Sequence, residues 1–338
     1  VRPRPMRWGG PMRVSVRGPP RMAMCSVAGP SAVDMSSPGQ LRVGQLVQSC
    51  ATALRPDYKD QAAFWARYLV AHCLGVKMNQ MNSPDLRSTF VTKAQYAEYC
   101  RALAEVQKGR PIDYIVSSVD FYDCTFTVNE SVLIPRPETE LMLDMAIKQV
   151  KQQHPLLQPG VTADEPVGAK FVAWDVCCGS GCLGIALKRA LPLNTEVVLA
   201  DICSDALKVA QANSVRNAVD VELRCGDLFA PFEAAERADL ILCNPPYISL
   251  ADFAELDPSV RDFEPTKALV SGPSGLEFYE RLAQELPGRL KDAGHAFLEI
   301  GHQQGPEVQG LMQSAFSWQT CELHKDLAGL DRYIVLQK

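Results

Sequence analysis

A doubly wound α/β sheet, mostly parallel and preceded by a small helical domain, is the architecture this 338-residue chain predicts. Three observations carry that prediction. From Lys170 onward, short apolar runs alternate with helical segments, the pattern of a parallel sheet with right-handed crossovers. The first run ends in a glycine-rich turn, Gly179-Ser180-Gly181, that leads straight into a helix. The last two apolar runs flank Asp326-Leu-Ala-Gly-Leu-Asp331 with no helix between them, so they close the sheet edge as an antiparallel pair.

Residues 1–40 hold six arginines, no lysine and one acid, Asp34, among many Pro, Gly and Ser. That composition suits an organelle transit peptide, chloroplast or mitochondrial, and lacks the apolar core of a secretory signal; a disordered tail is the plain alternative. Residues 41–113 read as helices. In "DQAAFWARYLVAHCLGV", Phe64, Tyr68 and Ala71 fall at helical spacing, and Gly75 stops the run. In "TKAQYAEYCRALAEVQKG", Thr92 is placed to cap a second helix that ends at Gly109. Residues 114–134 turn to β-branched and aromatic side chains broken at Asp123 and Asn129-Glu130, which predicts a hairpin joining two domains. Pro137 then opens a helix, a position where its missing N–H costs nothing. After a Pro/Gly-bearing loop, residues 135–338 supply the strands "KFVAWDV", "EVVLADI", "VELRC", "ADLILC" and "AGHAFLEI", with "LGIALKRAL" and "SDALKVAQANSVRNA" as helices between the first three.

Charge narrows the partners. Beyond residue 40 there are 28 basic against 38 acidic side chains, which argues against stable binding to long nucleic acid, where many phosphates must be neutralised. Twelve cysteines occur without a C-x-x-C pair, and five dispersed histidines add no zinc spacing, so no metal is expected and the thiols read as free. No apolar run approaches the roughly 20 residues of a membrane span, and no membrane partner is expected.

The strand ends carry the chemistry. Asp175-Val-Cys177-Cys178-Gly179-Ser180-Gly181 permits close backbone approach of a ligand, yet it lacks both the dinucleotide spacing and the P-loop lysine. Alone it reads equally well as a tight turn. Asp201 ends the second strand, where a carboxylate can accept both hydroxyl hydrogens of a ribose. After the third strand, Asp227 is placed for an adenine amino group and Leu228 for the face of its ring. The fourth strand delivers Asn244-Pro245-Pro246-Tyr247. Four successive strand ends thus converge on one nucleoside-bearing ligand.

The order D-x-x-x-G-x-G, acidic strand end, G-D-L-F and N-P-P-Y resembles a class I S-adenosylmethionine-dependent methyltransferase of the amino-methylating kind. "IPRPETE", "NPPYI", "VRDFEPTKAL", "GLEFY", "LEIGHQQG" and "KDLAGLDRYIV" together resemble the PrmC/HemK family, protein-(glutamine-N5) methyltransferases of peptide chain release factors, from about residue 60 to the C-terminus. The resemblance implies S-adenosyl-L-methionine as cofactor, held by Cys177, Cys178, Gly179, Ser180, Gly181, Asp201, Asp227, Leu228 and Asn244. It implies an amide clamp at Asn244, Pro245, Pro246 and Tyr247, and the glutamine of a release factor's Gly-Gly-Gln loop as acceptor. It makes residues 41–113 the substrate-recognition domain and 135–338 the methyltransferase domain of a monomer. Cys177 and Cys178 depart from the family's Gly and Thr; compact thiols preserve the turn if both positions keep φ below zero.

The clamp has a physical rationale. A carboxamide nitrogen is a poor nucleophile because its lone pair is delocalised into the carbonyl. Two acceptors aimed at its N–H groups, Asn244 Oδ1 and the Pro245 carbonyl, orient it and raise its electron density, while prolines fix the carbonyl direction and Tyr247 covers the amide plane. No catalytic histidine is assigned, and His302 reads as structural. Arg136 and Glu138 belong either to the site's rim or to helix capping. The rival reading is a DNA or RNA base amino-methyltransferase acting on adenine N6 or guanine N2, which uses a similar clamp on a flipped base. A non-catalytic nucleoside-binding module needs no such clamp.

Overall fold

The computed structural model describes residues 41–153, 170–191 and 194–338. The segment read as a leader, residues 1–40, and most of the loop before Lys170 lie outside them. Among the described residues the chain divides into two compact units, one of residues 41–117 with Pro258–Phe263, the other of Ser118–Asp257 with Glu264–Lys338.

In the helical unit, α1 (Val43–Tyr58) turns Val43, Leu46, Cys50 and Leu54 inward at helical spacing. It packs on α2 (Ala62–Leu74). The buried residues of α2 are Ala62, Ala66, Leu69, Val70, Ala71 and Cys73; of the three positions marked by their spacing Ala71 is buried, while Phe64 and Tyr68 are not. Small alanines let the two backbones approach closely, while Phe64, Trp65 and Tyr68 cluster ring against ring and Phe64 stays 39 % exposed. Gly75, at φ +68°, ends α2 in a left-handed cap. Beyond the short α3 (Pro84–Ser88), α4 (Lys93–Gln107) starts with a reciprocal cap: Thr92 Oγ1 accepts from the Gln95 N–H at 3.2 Å and Gln95 Oε1 accepts from the Thr92 N–H at 3.0 Å.

The predicted hairpin is shorter than its composition implies. Residues Ile112–Val116 form a helix, α5, opened by Pro111 and closed by Ser117 at φ +54°. Burial of Ile112 and Tyr114 outweighs the strand preference of a β-branched run. Pairing is confined to β1 (Val119–Phe121) and β2 (Cys124–Phe126).

The second unit is built on seven strands. They are β3 (Phe171–Val176), β4 (Thr195–Asp201), β5 (Glu222–Cys225), β6 (Ala238–Cys243), β9 (Leu290–Glu299), β10 (Thr320–Lys325) and β11 (Asp331–Gln337), in spatial order β10-β11-β9-β6-β3-β4-β5. β4 and β5 lie on one side of β3 and β6 on the other, so the order reverses at β3, where crevices open in such sheets. β9 runs parallel to β6, while β10 and β11 close the edge antiparallel. A separate parallel pair, β7 (Ile248–Ser249) and β8 (Val270–Gly272), follows the Asn-Pro-Pro-Tyr segment.

Each sheet face has its own core. One face packs Ala173, Leu199, Leu240 and Phe297 with α6 (Pro137–Gln153) and α7 (Cys182–Ala190). The other packs Trp174, Ile241 and Leu298 with α12 (Glu277–Arg289) and α13 (Gly305–Ala315). α7 lies so near β4 that a Cβ on Gly184 would stand 2.3 Å from Leu199 Cδ2, which only glycine permits. The short α9 (Leu250–Ala254) and α11 (Thr266–Leu269) flank the β7–β8 pair, and α10 (Pro258–Arg261) belongs to the helical unit. No helix among the described residues is long and apolar enough to cross a membrane.

Candidate active site

At the carboxyl ends of β3, β4, β5 and β6 the chain encloses a cavity of about 270 Å³. Cys177, Cys178, Gly179 and Ser180 line it from the first turn, Asp201 from β4, Asp227 and Leu228 from β5, and Asn244 with Pro246 from β6. Three of the proposed site residues stand outside the lining. Gly181 faces the core, where a Cβ would meet Ile185 and Leu199, and Pro245 and Tyr247 sit behind Asn244.

Cys177 adopts φ +61°, so the condition that this position keep φ negative is not met. The left-handed conformation suited to glycine persists with a side chain present. Burial raises the pKa of Cys243, just before Asn244, well above the usual thiol range, and the neighbouring Cys177 thiol adds to the rise. Gly179, at φ +52°, has open space where a Cβ would stand.

Two carboxylates shape the turn. Asp201 Oδ2 accepts from the Gly179 N–H and Oδ1 from the Cys203 N–H, both at 2.8 Å, so this residue holds the loop as well as facing the cavity. Burial raises its pKa while those N–H groups oppose the rise. Each oxygen keeps a second lone pair for a ribose hydroxyl. Asp175 is 1 % exposed; its Oδ2 accepts from the Gly184 N–H at 2.8 Å, and Oδ1 has no partner among the described residues. Burial pushes its carboxyl up to about 7. Asp227 is forked against Arg281 at 3.0 and 3.1 Å, which leaves only its outer lone pairs for an amino group. Leu228, buried at φ +48°, presents its side chain to the cavity.

Asn244 donates from Nδ2 to Thr139 Oγ1 at 3.5 Å, while its Oδ1 and the Pro245 carbonyl accept no hydrogen bond among the described residues. Two acceptors therefore stand ready at the strand end. The peptide beyond them is pinned: Gln304 Nε2 donates to the Tyr247 carbonyl at 2.9 Å and the Gly275 carbonyl at 3.1 Å, while its Oε1 accepts from the Gly301 N–H. Burial pushes the Tyr247 hydroxyl up to about 12, with Glu299 adding to the rise against Arg332 and Arg136. Arg136 lines the cavity and is ion-paired with the buried Glu264. Glu138 does not line it; its carbonyl accepts from the Tyr333 hydroxyl.

Sequence reading missed Thr139, Gln304 and Glu299 as site residues. Glu299 carried a signal, because it ends an apolar strand as Asp201 does. The cavity also takes in Ile202, Val132, Leu133 and Phe278, a lining suited to a flat ring, which only the fold assembles.

These residues fit a nucleoside-bearing cation. An orphaned carboxylate oxygen lies under the turn, a second carboxylate faces the cavity with lone pairs to spare, and the remainder mixes apolar side chains with Glu130, Arg136, Asp205 and Lys267. The sequence model of the family described as "Methyltransferase small domain" matches residues 164–255, which hold the turn, Asp201, Asp227 and Asn244. The chain is 40 % identical over 252 residues to the release factor glutamine methyltransferase of Chlamydia trachomatis, an alignment covering 75 % of this chain and 80 % of that one. Against the protein of that name from Bacillus anthracis it is 32 % identical over 300 residues, covering 87 % and 98 %. Against the one from Bacillus subtilis it is 38 % identical over 230 residues, covering 68 % and 75 %.

Proposed function

The chain belongs to the release factor glutamine methyltransferases, and we infer that it transfers a methyl group from S-adenosylmethionine to the side-chain amide nitrogen of a glutamine in a peptide chain release factor. The observation that carries the chemistry is Asn244 on the cavity lining, its Oδ1 free of any hydrogen bond among the described residues, with the Pro245 carbonyl next along a backbone that Gln304 pins at Tyr247. S-adenosylmethionine, when bound, supplies an electrophilic methyl group on a sulfonium. Asp201 and the Cys177–Ser180 turn hold its nucleoside end, and Leu228 covers the ring.

The remaining work falls to the chain. The two acceptors take the N–H groups of the glutamine amide, turn its nitrogen lone pair toward the methyl donor and counter the positive charge that grows on nitrogen during attack. No strong base is required, since the proton leaves after nitrogen has been methylated.

Three finer points extend this reading. The acceptor is the glutamine of a Gly-Gly-Gln loop, narrow and flexible enough to enter the cavity. The enzyme acts as a monomer whose helical unit provides a docking surface; a stable complex needs about 800 Å² per partner. Residues 1–40 direct it to an organelle, on the strength of six arginines against one acid, and a fused reporter that stayed in the cytosol would exclude that address. The central experiment offers the full chain and methyl-labelled cofactor to a folded release factor, to RNA and to DNA separately. Label on the release factor is expected; label on a nucleic acid alone would move the assignment to base methylation.

A further inference from the structure

Two buried side chains stand behind Asn244. Thr139, in the first turn of α6, and Glu299, the last residue of β9, are each 2 % exposed. Thr139 Oγ1 donates to Glu299 Oε2 at 2.6 Å, and Asn244 Nδ2 reaches Thr139 Oγ1 at 3.5 Å, a long contact of the kind that tightens when a substrate fills a site. A hydroxyl has one proton to give. When the carboxylate takes it, only lone pairs remain on the threonine oxygen, and the Asn244 amide must offer its NH₂ there and its Oδ1 to the cavity. We propose that Thr139 and Glu299 are positioning residues that set which way the Asn244 amide faces, so that an acceptor meets the substrate's N–H. The proposal rests on the amide-clamp reading above and adds two residues to it, neither of which touches the reacting atoms.

The relay reverses on protonation. A neutral Glu299 donates its O–H to Thr139 Oγ1, the hydroxyl proton turns toward Asn244, and Oδ1 swings round to accept it. The NH₂ then points into the cavity and repels the substrate amide. Burial pushes the Glu299 carboxyl up to about 7, against the Thr139 hydrogen bond and the Arg332 and Arg136 charges, with Glu138 adding to the rise. Tyr247, Tyr279, Tyr333 and Cys182 also face it, and burial keeps each of them neutral near that pH. Asp175, beyond Cys182, is a second carboxyl pushed to about 7, so a pH profile alone does not identify the group and a variant must.

The test measures kcat, the KM for a folded release factor and the cofactor dissociation constant for the full chain and its variants, across a pH range spanning neutrality. The parent's kcat is expected to rise with pH through an apparent pKa near 7 and then level. Glu299→Gln removes the charge that compels Thr139 to donate, so its kcat falls about tenfold to a hundredfold above the parent's limb, meets the parent's below it, and no longer changes with pH. Thr139→Val lowers kcat by the same order with KM and cofactor affinity unchanged, and Thr139→Ser recovers most of that loss. If Thr139→Val fails to fold, the parent's profile, Glu299→Gln and Thr139→Ser still decide. Variants that keep the parental kcat, a limb that persists in Glu299→Gln, or a loss confined to cofactor affinity would overturn the relay while leaving the methyltransferase reading in place. A parent chain that methylates no release factor would overturn both.

Discussion

Cys177 carries a Cβ at φ +61°, a conformation that costs a non-glycine residue about 1–2 kcal/mol. Cys177→Gly removes that strain and adds back about 0.5–1 kcal/mol of backbone entropy in the unfolded chain. The expected outcome in denaturant unfolding is a variant as stable as the parent or more stable by up to about 1.5 kcal/mol. Cys177→Val, branched at Cβ, is expected to be clearly less stable. A glycine variant weaker than the parent would place the residue's worth in its contact with the Cys243 thiol instead. At this scale the sequence marked the residues that end apolar strands, Asp201, Asp227 and Asn244, because a polar group at such an end must face a crevice or water. Thr139 and Glu299 stand 160 positions apart, and Gln304 meets Tyr247 across 57. No local pattern announces a hydrogen bond of that separation.

Helix α8 (Ser204–Arg216) shows how one element can position another. Asn213, fully buried, accepts from the Thr127 N–H at 2.6 Å and donates to the Thr127 carbonyl at 3.0 Å and the Ser180 carbonyl at 2.9 Å. One turn on, just past the helix, Asn217 accepts from the Thr125 N–H and donates to its carbonyl. Two side-chain amides thus read the backbone of β2 and the residue after it as a neighbouring strand would, and Asn213 joins it to the glycine turn. Asn213→Ala leaves three backbone groups unpaired, the Ser180 carbonyl buried and the two of Thr127 partly so, and is expected to cost about 2 kcal/mol in urea unfolding, with weakened cofactor binding by calorimetry. Stability within a few tenths of the parent would show that water replaces the amide without penalty. The hairpin itself was only partly legible. Its alternation was visible, but Ile112–Val116 became helix because Pro111 starts one and the core receives Ile112 and Tyr114. On α2 the aromatic spacing marked the outer face, since small alanines rather than large rings decide how closely two helices approach.

For the whole molecule, the sheet was legible in nearly every strand, since alternating apolar runs and helices admit few right-handed arrangements. The closing antiparallel pair followed from the absence of a helix between β10 and β11. The division into units was less so, because Pro258–Phe263 joins the helical unit from far along the chain. That unit has its own core around Leu46, Leu69 and Leu103, separate from the two that flank the sheet. Deleting residues 41–113 is therefore expected to spare cofactor affinity and to slow methylation of a folded release factor more than that of a free Gly-Gly-Gln peptide. Equal losses on both acceptors would remove the docking role. If Asn244 and Pro245 orient a glutamine amide for methylation, the most direct measurement is to locate the methyl group. Fragment mass spectrometry on a release factor incubated with the full chain and cofactor is predicted to find one methyl on the side-chain nitrogen of the Gly-Gly-Gln glutamine. The same reaction with Asn244→Ala at saturating cofactor is predicted to leave that glutamine almost unmodified. A methyl group on another residue, or parental yield from Asn244→Ala, would contradict that role of Asn244 and Pro245.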